Sequence, residues 1–270
     1  MHRPLFVAVT VAVPALLLIQ AVPARAADDR PPCSGPQLAI LGRAVKAAHF
    51  VPGPRARDGV ADGVVIASTC KRLPEDPRLT LVAAAWDAGK ADSKALVLAL
   101  VDEGAAKVVA SYRDDIIEDA AVHLEDYSLR LDTAAYDLAP GVRAVGLDIV
   151  SEDRSCGEAG YGPQRTLYVR EGTTLRPVLS DLYVQQWAYL RGNQPRCSGP
   201  GEEAPLLEDY DVTIGLGTAG PGGWRDLALT AVSKRSDHLA GRKPLHVRVP
   251  YDGKTYPLDA FDKAYAQWRK

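Results

Sequence analysis

Apolar and polar residues alternate at every second position in many short stretches of the chain, as they do in β-strands with one buried face. Gly, Pro and Asp, which favour turns, separate these stretches. The pattern is typical of antiparallel β-meanders and predicts a series of short strands. The predicted strands include residues 95–101, 107–113, 142–150, 165–170, 226–232 and 245–249.

An internal repeat organises the alternating stretches. The motif LEDY occurs at residues 124–127 and again at 207–210, with alternating apolar segments after each copy, and a fainter third copy begins at Leu79. Repetition at intervals of about 50 residues is typical of propeller blades or stacked sandwich units. We therefore expect a mainly β fold of repeated antiparallel β-meander units that is propeller-like, with a β-sandwich as the alternative. The wider spacing of the LEDY copies indicates an insertion at 182–205.

Helical periodicity frames the β region at both ends. Residues 37–49 carry apolar side chains at helical spacing, and so do residues 259–269, where Asp259 is a candidate cap. Residues 51–62 are rich in Pro, Gly and Arg, which indicates an exposed linker. We expect one N-terminal and one C-terminal helix around the β domain.

The first 26 residues have the features of a secretory signal peptide. Arg3 supplies a positive start, residues 5–19 are apolar apart from Thr10 and Pro14, and residues 24–26 form a small-x-small cleavage site. We expect an exported protein, periplasmic or extracellular, with no membrane span after cleavage. The predicted organisation is a signal peptide at 1–26, an N-terminal helix and linker at 27–62, and a β domain at 63–270 that ends in the C-terminal helix.

Composition narrows the classes of protein to which the chain can belong. The 270 residues are 47% hydrophobic and 24% charged, which is close to the average for globular proteins. The formal net charge is -2, so we expect no nucleic-acid partner.

All four cysteines follow the predicted cleavage site. An even number of cysteines in an oxidising compartment indicates two disulfides, for which three connectivities are possible. We favour Cys33–Cys70 and Cys156–Cys197 because each pair brackets one compact region. A zinc site or catalytic thiol is the alternative, but no two cysteines have C-x-x-C spacing.

One glycine-rich motif matches a nucleotide-binding pattern. Residues 215–220, GLGTAG, satisfy G-x-G-x-x-G, which binds a dinucleotide when it joins a strand to a helix. Here the sequence Pro221-Gly222-Gly223 follows, and then another predicted strand. We interpret the motif as a β-turn and predict no cofactor.

Acidic pairs and histidines are the remaining candidates for chemistry. Paired carboxylates can hold a metal or serve glycoside hydrolysis, but adjacent side chains point to opposite faces of a strand. We interpret the pairs as solvated edges and turns, and we predict neither a metal site nor catalytic residues. The acidic pairs are 114–115, 118–119, 125–126 and 208–209, and the histidines of the exported part are His49, His123, His238 and His246.

Two resemblances to known families bear on the fold. The segment TAGPGGWRDLAL, residues 218–229, resembles the loop and strand of FG-GAP (integrin-type) propeller repeats, although acidic calcium ligands are missing from it. The wider layout, including TCKRLPEDPRLTLVAAAW and TLYVREGTTLRPVL, resembles a family of uncharacterised exported bacterial β-repeat proteins. The first resemblance implies a propeller-like fold, and the second implies export but no particular activity.

Four tryptophans are spread through the chain. The repeat aligns Trp86 and Trp224 with other apolar positions, which indicates core packing, whereas Trp187 lies near the insertion and is the candidate ligand-facing residue. We expect a non-catalytic binding or structural module of the bacterial envelope whose partner is an envelope protein or a glycan. The alternative is a secreted hydrolase with a site assembled only in three dimensions.

Overall fold

A computed structural model of the chain describes residues 31–47, 49–53, 63–90, 92–118, 122–153, 159–192, 197 and 204–270. The predicted signal peptide, most of the predicted linker and Cys156 lie outside the described residues.

The described part is mainly β, with one helix near each end. This confirms the predicted fold class. The helices are α1 (Gly35–Val45) and α2 (Asp259–Trp268). The strands are β1 (Val51–Pro52), β2 (Val64–Arg72), β3 (Leu79–Trp86), β4 (Ser93–Asp102), β5 (Lys107–Ile117), β6 (Val122–His123), β7 (Leu129–Ala139), β8 (Val142–Ile149), β9 (Glu152–Asp153), β10 (Ala159–Tyr161), β11 (Gln164–Glu171), β12 (Thr174–Tyr183), β13 (Gln185–Arg191), β14 (Leu206–Ala219), β15 (Arg225–Arg235) and β16 (Leu245–Val249).

Two sheets contain nearly all of the strands. The larger has nine strands in the order β1-β2-β3-β4-β5-β12-β11-β8-β7, and the smaller has five in the order β10-β13-β14-β15-β16. The larger sheet curls, because β2 and β3 at one side contact β7 at the other. Its β5 and β12 run parallel and are joined by a single bridge, between Ser111 and Thr174. The smaller sheet is antiparallel throughout.

Three apolar clusters hold these layers together. The first fills the inside of the curl and includes Leu98 and Leu147. The second lies where the small sheet and α2 pack against β7, β8, β11 and β12, and it includes Tyr210. The third lies between α1 and the outer side of β2–β4. Because β3 and β4 are covered on both faces, their sequences are nearly continuous apolar runs rather than alternating ones.

The N-terminal helix is shorter than predicted. Its start is fixed by the Ser34 N–H, which donates to Gln37 Oε1 over 2.8 Å, and by a proline in the first turn. It ends at Val45 because Lys46 adopts the left-handed conformation, with φ 62°, and so terminates the helical hydrogen bonds. The C-terminal helix agrees with its prediction to within one residue.

The propeller arrangement is not confirmed, whereas two sheets that pack face to face remain compatible with the sandwich alternative. The repeat is not confirmed either. Tyr127 lies in a turn before β7 and is 40% exposed, whereas Tyr210 lies within β14 and is 2% exposed. The two copies of LEDY therefore have unlike surroundings. The predicted insertion contains a regular strand, β13, which pairs with β14.

A buried carboxylate links three neighbouring strands of the large sheet. Asp148 on β8 has no exposed side-chain surface and accepts two hydrogen bonds from Arg165 on β11, over 2.6 Å and 2.8 Å. Arg130 on β7 donates to the same carboxylate over 3.0 Å. The two guanidinium groups offset the cost of burying this charge.

The predicted disulfide between Cys33 and Cys70 is confirmed, and it ties the segment before α1 to β2. Cys197 is also disulfide-bonded. Because Cys156 lies outside the described residues, the second predicted pair stays a prediction. Within the described residues, no helix is long and apolar enough to cross a membrane.

Candidate functional site

The small sheet has one face in the core and one face turned outward. Strand alternation separates the two: Tyr210 and Val212 of β14 are buried against the second apolar cluster, whereas Asp209 and Asp211 point the other way. The same alternation and the strand register define the outward face, which we call the outer face. Its members include Gly160, Gln185, Trp187, Tyr189, Leu207, Asp209, Asp211, Thr213, Thr230, Val232, Lys234 and His246.

Trp187 is the largest side chain of the outer face and is partly exposed. Its ring makes an edge-on contact with Tyr189, with 5.3 Å between the ring centres. On its other side the indole covers Gly160, its cross-strand partner on β10. A Cβ at position 160 would lie 2.1 Å from Trp187 Cζ2, so only glycine leaves room for the ring there. The absence of a side chain at this position therefore sets the orientation of the indole.

Two acidic side chains stand directly beside this aromatic pair. Asp209 is the cross-strand neighbour of Trp187, and Asp211 that of Gln185. Asp211 is paired with Lys234 on β15, with 2.9 Å between Oδ2 and Nζ. Burial raises the pKa of the Asp209 carboxyl, and the negative charge of Asp211 raises it further, while Lys234 has the opposite effect. Asp209 is thus kept in a position that is unfavourable to its charged form.

On β14, β15 and β16 the outer face also presents polar side chains. Thr213, Thr230 and His246 lie side by side on β14, β15 and β16. Thr230 Oγ1 lies 3.0 Å from His246 Nδ1. The face therefore combines an aromatic pair at one edge with carboxylate, ammonium, hydroxyl and imidazole groups further along. This arrangement can contact a polar ligand over several strands.

The glycine-rich motif ends one strand and begins a turn. Residues 215–219 complete β14, Gly220 follows, and a single 3-10 turn, Pro221–Gly223, leads into β15. The motif is thus mostly strand rather than the predicted β-turn, because it pairs with β15, and the turn that joins these two antiparallel strands comes after it. With the Pro140 turn of the β7–β8 hairpin, it lines a cleft of about 430 Å³ that also contains Asp137 and Arg225.

The acidic pairs divide into exposed and buried members. Asp114 and Asp115 are exposed on β5, as predicted for a solvated edge. The prediction is wrong for Glu118 and Glu208, which are 4% and 3% exposed. Both are buried because neighbouring groups satisfy them: Glu208 accepts from the Tyr210 hydroxyl over 2.9 Å, and Glu118 accepts from the Leu124 N–H over 2.8 Å.

The histidines do not come together. His49 and His238 are exposed, His123 is partly buried on β6, and His246 lies on the outer face. Among the described residues, no group of three or more His, Cys, Asp or Glu side chains is placed to hold a metal ion. A second cleft, of about 330 Å³, lies beside Cys33 and is lined by Ser68, Asp126 and Tyr127. The predicted hydrolase alternative stays a prediction.

The sequence singles out Trp187 as a candidate but none of its neighbours. The sequence pattern pairs Asp209 with Glu208 as solvated edge or turn residues, although the two side chains point to opposite faces of β14. It gives no sign of Gly160, whose role depends on a cross-strand ring. It also does not predict a buried cluster of Lys94, Asp87 and Glu118. The only available signal for that cluster was a lysine at the start of an apolar run.

Comparison of the chain with protein-family models, with curated proteins and with solved structures finds no match. The function of the chain is therefore inferred from the residues and geometry of the outer face.

Proposed function

We propose that this chain is an exported envelope protein that acts as a non-catalytic binding module, and that the outer face binds a cell-wall glycan. The observation that carries the proposal is the Trp187–Tyr189 pair, partly exposed on a sheet face beside Asp209 and Gln185.

The aromatic pair suits the apolar side of a sugar ring. The face of an aromatic ring is electron-rich, and the C–H groups on one side of a pyranose present a weakly positive surface to it. Because the Trp187 ring already covers Gly160, it is oriented before a ligand arrives. Little conformational entropy is then lost on binding, which favours affinity.

The polar groups suit the sugar hydroxyls. The Asp209 carboxylate accepts hydrogen bonds, and bonds to a charged acceptor are stronger than those between neutral groups. The Gln185 amide, exposed on the same strand as Trp187, both donates and accepts. A glycan offers hydroxyl groups that fit both.

The raised pKa of the Asp209 carboxyl also supports a role in ligand binding. A carboxyl whose pKa is raised by burial and by Asp211 lowers the stability of the protein near neutral pH. Groups kept at a cost to stability are common in binding sites. A role in ligand binding accounts for Asp209 better than a structural role.

Co-sedimentation of the purified exported chain with insoluble peptidoglycan tests the proposal. We expect the wild-type protein to sediment with the polymer and Trp187→Ala to bind on the order of tenfold more weakly, a loss of about 1.4 kcal/mol. Tyr161→Ala is the matched control. Tyr161 is an exposed aromatic on the same edge of the sheet, but it is paired with the buried Gln186 and so points to the opposite face.

Two results would contradict the proposal. The first is a wild-type chain that stays in the supernatant at all polymer concentrations. The second is an equal loss of binding in Trp187→Ala and Tyr161→Ala. That result would show that exposed aromatic side chains at this edge of the sheet bind the polymer nonspecifically, and that the outer face is not the binding site.

A further inference from the structure

Three charged side chains are buried together at one end of the curled sheet. Asp87 directly follows β3, Lys94 lies at the start of β4, and Glu118 directly follows β5. The side chains of Lys94 and Asp87 are each 1% exposed, and that of Glu118 is 2% exposed. Lysine and carboxylate side chains are rarely buried to this degree, because the charged forms lose their hydration. The cluster is separate from the outer face and independent of the function proposed for it.

The strand register brings the lysine and the aspartate together. Trp86 pairs with Ala95, so the next positions, Asp87 and Lys94, face each other across the β3–β4 hairpin. Lys94 Nζ lies 2.5 Å from Asp87 Oδ1. The carbon–oxygen bond length then places Nζ within about 3.7 Å of the carboxyl carbon. This separation is close to that of reacting atoms held ready for bond formation.

The contact is not an ordinary hydrogen-bonded ion pair. Neither carboxyl oxygen of Asp87 has a hydrogen-bond partner among the described groups. A buried carboxylate without hydrogen bonds is costly, and its neighbour Lys94 is equally cut off from water. Conversion of the two groups into a neutral amide would remove both buried charges.

We propose that Lys94 and Asp87 form an intramolecular amide cross-link between Nζ and Cγ. Transfer of a proton within the pair gives a neutral amine and a carboxylic acid. The amine nitrogen attacks Cγ, the bond between Cγ and the hydroxyl oxygen breaks, and one water molecule leaves. The reactants and the product differ by that water alone, so no oxidant or co-reactant is needed.

Glu118 is placed to move the proton that this step requires. Its Oε2 lies 3.3 Å from Lys94 Nζ, and its Oε1 is held by the Leu124 N–H over 2.8 Å. The Glu118 carboxylate takes the proton from the attacking nitrogen and delivers it to the departing hydroxyl, and is then regenerated. Close packing around the cluster excludes water, which would otherwise favour hydrolysis.

An exposed lysine–aspartate pair in the same region is an internal control. Lys90 and Asp115 approach to 2.6 Å, but their side chains are 59% and 42% exposed. Water reaches both side chains and stabilises them as separate groups, and no buried carboxylate of the described residues is shown beside them. We therefore expect no cross-link there, although the distance is nearly the same.

Mass spectrometry of the reduced and denatured protein tests the cross-link without relying on activity. We expect the wild-type chain to be lighter than its sequence by one water molecule. Trypsin should cut after Lys90 but not after Lys94, so that peptides 79–90 and 91–107 remain joined. A chain of full mass that is cut normally after Lys94 would overturn the proposal.

Two variants identify the groups involved. Lys94→Arg should restore the full mass, whereas loss of the same water in this variant would show that Asp87 or another aspartate forms a cyclic imide and would overturn the cross-link. Glu118→Gln, scored in the fraction with a native circular dichroism spectrum, should form the bond far more slowly. Undiminished formation would remove Glu118 from the step. Asp115→Asn serves as the control that keeps the cross-link.

Discussion

The indole of Trp187 occupies the space that a side chain at Gly160 would fill, across the β10–β13 ladder. A glycine within a strand usually weakens it, because the unfolded chain loses more entropy and no side chain packs. Here an aromatic ring from the neighbouring strand covers the exposed backbone. The two residues act as a unit. The orientation of the Trp187 ring depends on Gly160 because glycine has no side chain to occupy the same space.

Gly160→Val therefore displaces Trp187. We expect the substitution to lower the free energy of unfolding by about 1–3 kcal/mol, because the inserted side chain forces the ring out of place. Binding to peptidoglycan should fall as far as in Trp187→Ala. Urea unfolding and co-sedimentation measure the two effects. Gly35→Ala is the control, since nothing lies within 4 Å of a Cβ at that position. If Gly160→Val bound like the wild-type chain, the ring would not be the contact.

Asp209→Asn should separate stability from binding. The folded-state pKa of Asp209 is raised, so its ionised form opposes folding above that pKa, and the opposition disappears as the pH falls through it. We expect Asp209→Asn to raise the melting temperature at neutral pH, to have no such effect in acid, and to weaken glycan binding. Thermal unfolding at several pH values measures this. Asp211→Asn, which removes the partner of Lys234, should not be stabilising. A lower melting temperature for Asp209→Asn at neutral pH would contradict the argument.

Asp148→Ala should be among the most destabilising single substitutions in the large sheet. It leaves Arg165 and Arg130 without their shared buried carboxylate, and breaking a buried ion pair costs about 3–5 kcal/mol. Equilibrium unfolding in urea gives the value. Asp237→Ala, which breaks an exposed pair with Arg235, should change stability little. Similar losses in both variants would show that burial is not the deciding factor.

Removal of the Cys33–Cys70 disulfide should lower stability through the unfolded chain. The bond closes a loop of 37 residues, for which restriction of the unfolded chain predicts about 3–4 kcal/mol. The double variant Cys33→Ala, Cys70→Ala tests this by thermal and urea unfolding, and leaves Cys197 unaffected. Because β2 and α1 both pack in the third apolar cluster, we expect the native fold to persist. An unchanged midpoint would show that packing alone holds this segment.

Much of the architecture could be predicted because alternation and helical periodicity report local burial directly. The strand predicted at 245–249 coincides with β16, and the C-terminal helix begins at Asp259 as expected. The two copies of LEDY differ in structure for a physical reason. Residues 207–210 lie in a strand because β14 pairs with β13, whereas residues 124–127 lie in the turn region before β7. The same four-residue sequence therefore adopts two different structures, because pairing with a neighbouring strand decides where a strand begins.

The sites were harder to predict, because they depend on register between strands. Trp187 and Asp209 become neighbours only through the pairing of β13 with β14, and β13 lies in a segment predicted to be an insertion. Lys94 and Asp87 face each other only if Trp86 pairs with Ala95. Predicting this contact from the sequence would have required the register of the β3–β4 hairpin. The alternation of apolar and polar residues does not by itself fix which residues pair across a hairpin.

The single bridge between Ser111 and Thr174 has a mechanical consequence. On one side of it lie β2–β5 with α1, and on the other lie β12, β11, β8 and β7, each group of strands held by long antiparallel ladders. When the native state opens locally, separation at this junction breaks fewer backbone bonds than separation within either group, so it marks the boundary between two cooperative units of unfolding. The amide protons of Ser111 and its neighbours should accordingly exchange with solvent sooner than those in the middle of either ladder.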